Sequence, residues 1–515
     1  MRLSRLSDVV SRPRRSRRRH SFGAVSTAAR PPAAIAGAGE SLEPRTLLAA
    51  GNVCVITDAT GADFAINAAD NGIDRIVVAA GARVDELSIL GGAADLRVTI
   101  NAGAEVGNLV IDGGEGAETL AIYGTVVTEV AFGGRGGNDV LAVFDTAQTG
   151  RLEFIGGDGD DRAIIRGMVT GGTGGRRSLI DLGFGANFAA VVAGEDGRTE
   201  IGNRIDFNGD NSRFRFGPGV TIEELVIVPS FRNGIGPSQV EIDGLTVSNL
   251  LISNFRGFGV VLRSNDLTVT EDFEYSGAAD QTTVLTGTTH VGGDFRFQSG
   301  SSDFADRVVL EDLSIGGDLR MFFNGADTRD SVRFGRTNVV GNVRIDADET
   351  LVIRETAAQT IGGDYTVILK PGFAGDRPQA LISMYEGSTI GGDLTIAMVD
   401  TFDISASEVA DASIISTNAT VGGNVTITTG DEDDILHLRG MTVSTGGAVL
   451  TTGGGRDQLF LRTATVGALL EAELGDGDDF VDSTGLTVGS ATFDGGPGLD
   501  RITDTTIGTQ SNFEA

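Results

Sequence analysis

The sequence predicts an all-β fold, a right-handed parallel β-helix (β-solenoid) built from coils of about 22 residues. Three observations predict it: two different sequence markers recur with this period, and the composition suits short strands and tight turns. The chain of 515 residues has 76 glycines but only 10 prolines. Abundant glycine without a Gly-X-Y period or much proline excludes collagen, and frequent Val, Ile, Leu and Thr favour strands.

The first marker is an acidic residue that precedes a short alternating apolar strand. The steps between its copies are 21, 23, 21 and 22 in the N-terminal half, and 23, 22 and 21 near the C-terminus. Such a constant spacing indicates a structural repeat. The copies are Asp74, Asp95, Glu118, Asp139, Asp161, Asp434, Asp457, Asp479 and Asp500.

The second marker is an apolar residue that is often followed by Gly-Gly-Asp or Gly-Gly-Asn and then by an alternating strand. Most of its copies keep the same period, and the two longer steps that end at Ile390 and Val421 leave room for insertions around Pro371–Pro378 and Thr401–Thr417. A unit of this size cannot bury its own apolar side chains, but stacked units can, so we expect about 21 stacked coils. The copies are Val84, Val106, Val127, Val247, Val269, Val291, Ile315, Val340, Ile361, Ile390, Val421, Val443, Val466 and Val488.

The chain is predicted to contain four segments. Residues 1–50 form a disordered basic tail, 51–200 form coils with acidic glycine-rich turns, 201–290 form irregular coils, and 291–515 form coils with Gly-Gly-Asp turns and further acidic turns at the end. Ten Arg and three acidic residues give the tail a charge of +7, so the total of −31 leaves −38 on the remainder. The repeat blurs from Gly171 to Gly244, but Ile201 and Ile222 keep near-expected positions, which favours a continuous solenoid.

A short motif in the tail bears on localisation. Leu42 to Leu48 reads LEPRTLL, which resembles the LEPR-XLL motif found near the N-terminus of large proteins of planctomycete-type bacteria. The resemblance covers seven residues and matches all six defined positions. It implies a sorting-type mark on an exported repeat protein, and it implies nothing about catalysis. We therefore expect a secreted or cell-surface protein, and we expect no membrane span because every apolar run is far shorter than a spanning helix requires.

The glycine-rich turns carry closely spaced acidic residues, as in Gly156 to Asp161, which reads GGDGDD. In stacked coils these carboxylates would form a column at roughly 4.8 Å spacing. Two unit charges at that distance repel by about 1 kcal/mol in bulk water and by roughly 3.5 kcal/mol at an effective dielectric constant of 20. Either a cation such as Ca²⁺ between the coils or pairing with Arg135 and Arg456, which lie in such turns, would relieve the repulsion.

These turns resemble the RTX nonapeptide Gly-Gly-x-Gly-x-Asp-x-U-x, in which U is a large apolar residue. Residues 495–503 (GGPGLDRIT) match every defined position, and residues 156–164 (GGDGDDRAI) match all but one. RTX units run in tandem, whereas this chain has one per coil, so at most one edge could bind ions, in the blocks 113–164 and 429–503. The resemblance implies calcium ligands among Glu118, Asp139, Asp158, Asp160, Asp161, Asp434, Asp457, Asp476, Asp478, Asp479, Asp494 and Asp500.

The composition also limits the functional class. A strongly acidic body disfavours nucleic acid, and the single cysteine, Cys54, excludes an internal disulfide framework. The three histidines (His20, His290 and His437) lie far apart in sequence, and no nucleophile, zinc or nucleotide motif is present. We therefore expect that the protein is not an enzyme. We expect a structural or adhesive surface protein whose partner is a surface polysaccharide or another surface protein.

The alternative is a carbohydrate-active β-helix, of the polysaccharide lyase or hydrolase kind, with a site that the sequence does not reveal. Converging Arg, Asp and aromatic side chains on a concave face would favour this alternative. Ladders of Thr, Ser and Asn would favour the structural interpretation.

Overall fold

The computed structural model confirms a parallel β-solenoid, in which nearly all regular structure is strand. Thr46–Ala515 forms one compact unit. The predicted tail lies outside the described residues except for Leu47–Ala50, which pairs antiparallel with Val53–Ile56 and includes the two last leucines of LEPRTLL. The structure describes residues 47–50, 52–57, 61–170, 177–230, 238–253, 260–277, 282–300, 305–324, 329–348, 350–370, 380–398, 413–504 and 509–513.

Each coil contributes strands to three parallel sheets, called faces 1, 2 and 3 in the order in which a coil reaches them. In face 1, for example, Arg75–Val78 pairs with Val53–Ile56 on one side and with Leu96–Ile100 on the other. The strands of face 1 are Val53–Ile56, Arg75–Val78, Leu96–Ile100, Glu118–Ile122, Val140–Val143, Arg162–Ile165, Phe188–Val191, Arg213–Phe216, Ser238–Asp243, Val260–Val269, Thr282–Val291, Arg307–Leu310, Arg329–Phe334, Thr350–Glu355, Ala380–Met384, Ser413–Thr417, Ile435–Arg439, Gln458–Phe460, Phe480–Asp482 and Arg501–Ile502.

Faces 2 and 3 share many long strands that bend at the corner between them, where the pairing register shifts. Val260–Val269 and Thr282–Val291 instead continue from face 1 into face 2. Strands shared by faces 2 and 3 are Arg83–Leu90, Glu105–Asp112, Thr125–Gly136, Gln148–Asp158, Thr199–Asp210, Val220–Ser230, Thr246–Ser253, Thr465–Glu473 and Thr487–Asp494. Those of face 2 alone are Met168–Val169, Leu313–Ile315, Thr337–Val339, Gln359–Ile361, Thr389–Ile390, Thr420–Val421 and Thr442–Val443. Those of face 3 alone are Ala62–Asn67, Ser178–Asp181, Phe273–Ser276, Phe295–Gln298, Leu319–Phe323, Val343–Asp348, Tyr365–Lys370, Leu394–Met398, Val425–Thr428, Ala448–Thr451 and Thr509–Ser511.

The core lies between the three faces and is filled by every second side chain. Alternation along a strand sends one side chain inward and the next outward. In Arg213–Phe216 the two phenylalanines are fully buried and the two arginines are exposed, as the sequence predicts for a core strand. Equivalent aromatic rings stack from coil to coil, with Phe273 and Phe295 at 4.6 Å between ring centroids. Stacking therefore supplies the apolar burial that a single coil lacks.

The solenoid continues through the region in which the sequence repeat is blurred. Arg162 pairs with Phe188, Phe188 with Arg213, and Arg213 with Gln239, so each strand still lies on its equivalent in the next coil. Two later coils are longer than the period, because Leu351 pairs with Ala380 and Leu381 with Ser413. The predicted insertion around Pro371–Pro378 and most of that around Thr401–Thr417 lie outside the described residues, and Ser413–Thr417 is a strand of face 1. Because such coils exceed the basic period, the described chain forms fewer coils than a uniform repeat would give.

Helix is almost absent from the described residues. One short helix, Ala68–Asn71, begins after Asn67, whose side-chain oxygen accepts a hydrogen bond from the backbone N–H of Asp70 at 3.1 Å. This is the usual way in which Asn satisfies a free N–H at a helix start. Within the described part of the chain, no helix is long and apolar enough to cross a membrane.

Candidate functional site

The acidic glycine turns lie at the corner between face 3 and face 1, where coils stack turn upon turn. The structure divides the twelve predicted ion ligands into two groups. Five of them are exposed or half-buried, namely Asp158, Asp160, Asp476, Asp478 and Asp494. Seven are almost completely buried, namely Glu118, Asp139, Asp161, Asp434, Asp457, Asp479 and Asp500.

The buried acidic residues form two hydrogen-bonded columns, here called the buried ladder, which consists of residues 118, 139, 161 and 187 and of residues 434, 457, 479 and 500. Beyond the first member of each column, every side chain accepts a hydrogen bond from the backbone N–H of the ladder residue in the preceding coil. The N–H groups of Glu118, Asp139 and Asp161 donate to the next coil at 2.7 Å each. The N–H groups of Asp434, Asp457 and Asp479 do so at 2.8 Å each. The ladder therefore satisfies backbone donors that lie too deep for water.

The second carboxylate oxygen has a different environment. The Oδ2 atoms of Asp161 and Asp479 are sealed from solvent and accept no hydrogen bond from the described protein. Burial raises the pKa of Asp161 to about 7, although the N–H of Asp139 acts in the opposite direction. Burial likewise raises the pKa of Asp479 to about 7. A buried carboxyl with no partner for its second oxygen is more stable when neutral, so these two groups hold protons near neutral pH.

Burial also raises the pKa values of two other acids in the buried ladder, Glu118 and Asp457. Burial, and then a hydrogen bond with the carboxyl group of Asp139, raise the pKa of Glu118 to about 8. Burial raises the pKa of Asp457 to about 6, against hydrogen bonds from Thr452 and from the N–H of Asp434. Neighbouring acids in a ladder therefore share charge, and protonation of some members removes the repulsion that a fully ionised column would have.

Asn187 continues the N-terminal column without a charge. Its Oδ1 accepts from the N–H of Asp161 at 2.7 Å, and its Nδ2 donates to the carbonyl oxygen of Gly183 at 3.1 Å. An amide has nearly the shape of a protonated carboxyl group and also carries a donor. The ladder position therefore accommodates a neutral side chain with both polar atoms bonded.

The exposed acids of the same turns bond in the opposite direction along the solenoid. Asp160 accepts from the N–H of Ala186 at 2.8 Å and Asp478 from that of Leu499 at 3.0 Å, both in the following coil. Asp494 accepts from the N–H of Gly496 at 3.1 Å and from the side chain of Asn512 at 2.6 Å. Asp158 and Asp476 lie exposed in isolated β-bridges. Consecutive acids thus hold the coil to both of its neighbours.

The two arginines inside these turns form ion pairs with acids of the adjacent coil. Arg135 lies 2.6 Å from Asp112, and Arg456 lies 3.0 Å from Asp433. Both pairs are exposed, so they neutralise the surface of the corner rather than the buried ladder. Among the described residues, no three His, Cys, Asp or Glu side chains converge in an arrangement that could hold a metal ion. Calcium binding by the twelve acids stays a prediction.

A second column occupies the corner between faces 2 and 3 and is here called the surface ladder. Each member accepts a hydrogen bond from the backbone N–H of its equivalent in the following coil, at 2.7 to 3.3 Å. Its acids are exposed or half-buried, and the N–H of Asn342 lowers the pKa of Asp318. The members are Asn249, Asp272, Asp294, Asp318, Asn342, Asp364, Asp393 and Asn424.

Face 2 carries a column of mostly hydroxyl side chains on its outer surface, together with His290 and Asn338. Twelve cross-strand neighbours follow one another over successive coils, none of them buried and none of them Asp, Glu, Lys or Arg. The members are Thr221, Thr246, Thr268, His290, Ser314, Asn338, Thr360, Thr389, Thr420, Thr442, Thr465 and Thr487.

The structure also reveals a group of side chains that the sequence analysis missed, on face 1 near the C-terminus. His437 stacks on Phe460 with ring centroids 4.3 Å apart, and Phe460 meets Phe480 edge-on at 5.8 Å. Each of these residues lies about one repeat from the next in sequence. The signal that could have found them is the repeat period itself, applied to outward positions as well as to the acids.

Comparison with protein-family models, with curated proteins and with solved structures finds no match.

Proposed function

We propose that this chain is an exported structural and adhesive repeat protein of the cell surface. The observation that carries the proposal is the column of Thr, Ser and Asn side chains along face 2. It is a repetitive surface at roughly 4.8 Å per coil. An enzyme active site needs an irregular set of groups that converge on one point, whereas from Thr221 to Thr487 this column repeats small hydroxyl groups apart from His290 and Asn338.

Two further features support a surface location. The LEPRTLL segment resembles a sorting-type motif, and the remainder of the chain is strongly acidic. A large negative charge keeps a protein soluble and suits a cation-rich environment outside the cell. The parallel stack provides an extended scaffold, because each coil contacts only its neighbours.

Protease treatment of intact cells that produce the protein, followed by detection with an antibody against residues 51–515, tests the location. We expect loss of the full-length band from intact cells while a cytoplasmic marker survives. Full protection in intact cells, with digestion only after lysis, would contradict export.

Stiffening of the acidic turns by Ca²⁺ belongs to the same proposal and has its own test. An ion that binds only the folded state raises the melting temperature by mass action. Melting curves in millimolar Ca²⁺ and in chelator, at constant pH and ionic strength, therefore decide the matter. Equal melting temperatures would remove calcium from the proposal and leave the structural role intact.

The enzymatic alternative is favoured by one observation, the meeting of Asp433, Arg456, Asp478 and Phe480 in a groove on face 1. Arg, Asp and aromatic side chains also line sites that cleave polysaccharides. Release of reducing ends or of unsaturated products from neutral or acidic polysaccharides would establish catalysis. Binding without product release would place the groove within the adhesive proposal.

A further inference from the structure

An open groove of about 540 Å³ crosses face 1 close to the C-terminal acidic turns. Three successive coils build it. Asp433, Arg456 and Asp478 form one wall, and Ile435, Gln458 and Phe480 form the floor. The floor residues are direct cross-strand neighbours, since Ile435 pairs with Gln458 and Gln458 with Phe480. The groove is therefore a property of the stacked coils and of no single repeat.

The wall alternates hydrogen-bond acceptors and donors. Asp433 accepts from the backbone N–H of Arg456 at 2.8 Å and pairs with its guanidinium group at 3.0 Å. The Arg456 side chain is held at one end yet remains 72% exposed, so other N–H donors stay available. Asp478 is fixed by the N–H of Leu499 at 3.0 Å. A ligand in the groove thus meets an acceptor, a donor and an acceptor on consecutive coils.

The floor residue Phe480 and the neighbouring Phe460 are aromatic side chains that do not contribute to the core. The inward positions of these strands are filled by Leu436, Leu459 and Val481, which are fully buried. Phe460 and Phe480 point outward and are only half-buried. The guanidinium group of Arg462 lies 5.6 Å from the centre of the Phe460 ring. Aromatic side chains kept at a surface beside polar groups are typical of ligand sites.

The chemistry of the groove selects one class of ligand. A polyanion would face Asp433, Asp478 and a chain with a net charge of −31. A small cation would pair with the carboxylates but would be repelled by Arg456 and would make no use of Phe480, and a purely apolar ligand would leave the wall groups without partners. A neutral sugar chain suits both the polar wall and the apolar floor of the groove. Its hydroxyl groups donate and accept hydrogen bonds, and the C–H face of each ring is apolar.

We propose that this groove binds a neutral polysaccharide. Sugar hydroxyl groups bond to Asp433, Arg456 and Asp478, and the apolar faces of the rings pack on Phe480 and Ile435. The inference rests on the proposed adhesive function and names the class of its ligand.

The N-terminal part of face 1 supplies a matched control. The equivalent outward positions there are Val140, Arg162 and Phe188, which are likewise cross-strand neighbours. Phe188 is half-buried, like Phe480, and follows a turn with the same glycine spacing but without acids, Gly183 to Asn187. It has no aromatic neighbour on the surface positions beside it, which are Ala142, Ile164 and Ala190. Truncation of Phe188 therefore removes the same atoms without touching the groove.

Affinity electrophoresis of the full-length protein tests the proposal, with native gels that contain dextran, galactomannan or a mixed-linkage β-glucan. A gel with polygalacturonate serves as the acidic contrast. We expect retardation by at least one neutral polysaccharide and none by polygalacturonate. F480A and R456Q are each expected to weaken that retardation about tenfold, as is usual for central contacts of a site, and F188A is expected to leave it unchanged.

Circular dichroism and melting curves accompany each variant, so that loss of binding is separated from loss of fold. Absence of retardation in all three neutral gels, or equal retardation of wild type and F480A, would overturn the proposal. Stronger retardation by polygalacturonate than by the neutral gels would also overturn it. None of these results affects the protease test of export, so the groove can fail while the surface role stands.

Discussion

The two acidic ladders of this solenoid use the same bond in different surroundings. In both, a carboxylate of one coil accepts a backbone N–H of a neighbouring coil at 2.7 to 2.9 Å in most steps. In the buried ladder the pKa of Asp161 rises to about 7, because burial outweighs the hydrogen bond. In the surface ladder the pKa of Asp318 falls, because the N–H of Asn342 outweighs a weaker effect of burial.

This difference in burial is most visible at the second oxygen of each carboxyl group. Oδ2 of Asp318 pairs with Arg320 at 2.6 Å, at a site that water still reaches. Oδ2 of Asp161 lies sealed against the glycine turn without a hydrogen bond. Hence the surroundings of Asp318 favour its ionised form at one corner, whereas burial favours protonated Asp161 and Asp479 at the other.

The largest expected effect comes from the glycines that pack against the buried ladder. A methyl group on Gly134 would overlap the carboxylate of Asp139 and the carbonyl oxygen of Gly156, whereas one on the adjacent Gly133 would approach nothing closer than 3.9 Å. We expect G134A to lower the free energy of unfolding by about 4 kcal/mol and G133A by less than about 1 kcal/mol. Chemical denaturation of both variants checks this, and equal losses would contradict the close packing of this corner.

The next effect is a dependence of stability on pH. A carboxyl whose pKa is about 7 in the folded state and 3.8 in its ordinary state binds an extra proton when folded between those values. The stabilisation that this proton gives to the folded state is fully present below pH 4 and is lost as the pH rises from 4 through 7. Asp479 behaves alike. We expect each of the two groups to lower the free energy of unfolding by about 3 kcal/mol from pH 5 to pH 8, measured by denaturation at each pH.

The double variant D161N/D479N serves as the control for this pH effect, because Asn187 shows that an amide fits the ladder. We expect it to be more stable than wild type at pH 8 and to show a flatter pH profile. A pH profile identical to that of wild type would assign the effect to other groups.

A smaller effect is expected when a ladder bond is removed. D161A leaves the buried N–H of Asp139 without its acceptor, which should reduce stability by about 2 kcal/mol. D318A removes the acceptor of the Asn342 N–H at the surface, where water replaces it, and about 0.5 kcal/mol is expected. Melting at pH 5, below the pKa of about 7 of Asp161, compares the two with Asp161 protonated. Equal losses would mean that the corners are equally accessible to water.

The smallest effect concerns charge in the surface ladder. Asn342 and Asn424 already occupy ladder positions and accept the same backbone bond through Oδ1. We therefore expect D364N to change the free energy of unfolding by less than about 0.5 kcal/mol. A loss above about 1 kcal/mol in denaturation experiments would show that ionisation, and not the bond, matters at this corner.

The sequence predicts the stacking of the coils well, because residues of the same type recur with the period of one coil. The spacing of Glu118, Asp139 and Asp161 is the spacing at which the coils pair. It does not predict which acid of a turn is buried. Asp160 and Asp161 are adjacent and chemically identical, and only the alternation into face 1 sends the second inward. Asn187 also lies in the ladder, in a turn that keeps the spacing of Gly183 and Gly185 but has no acid to mark it.

The sequence does not predict the groove on face 1. Phe460 and Phe480 belong to different coils, and each by itself looks like an ordinary strand residue. Their meeting depends on which positions of each strand point outward and on the register between coils. Gln458 illustrates this dependence, since its cross-strand neighbours Ile435 and Phe480 are set only by the pairing.

Infrared spectroscopy of the carboxyl groups tests the central claim most directly, that Asp161 and Asp479 of the buried ladder hold protons while Asp318 of the surface ladder is ionised. The C=O stretch of a protonated carboxyl group is separate from the bands of a carboxylate. At pH 6 we expect a protonated-carboxyl band in the wild-type protein, reduced in D161N/D479N and unchanged in D318N. Absence of that band from the folded wild-type protein at pH 6 would contradict the account, because the buried acids would then be ionised.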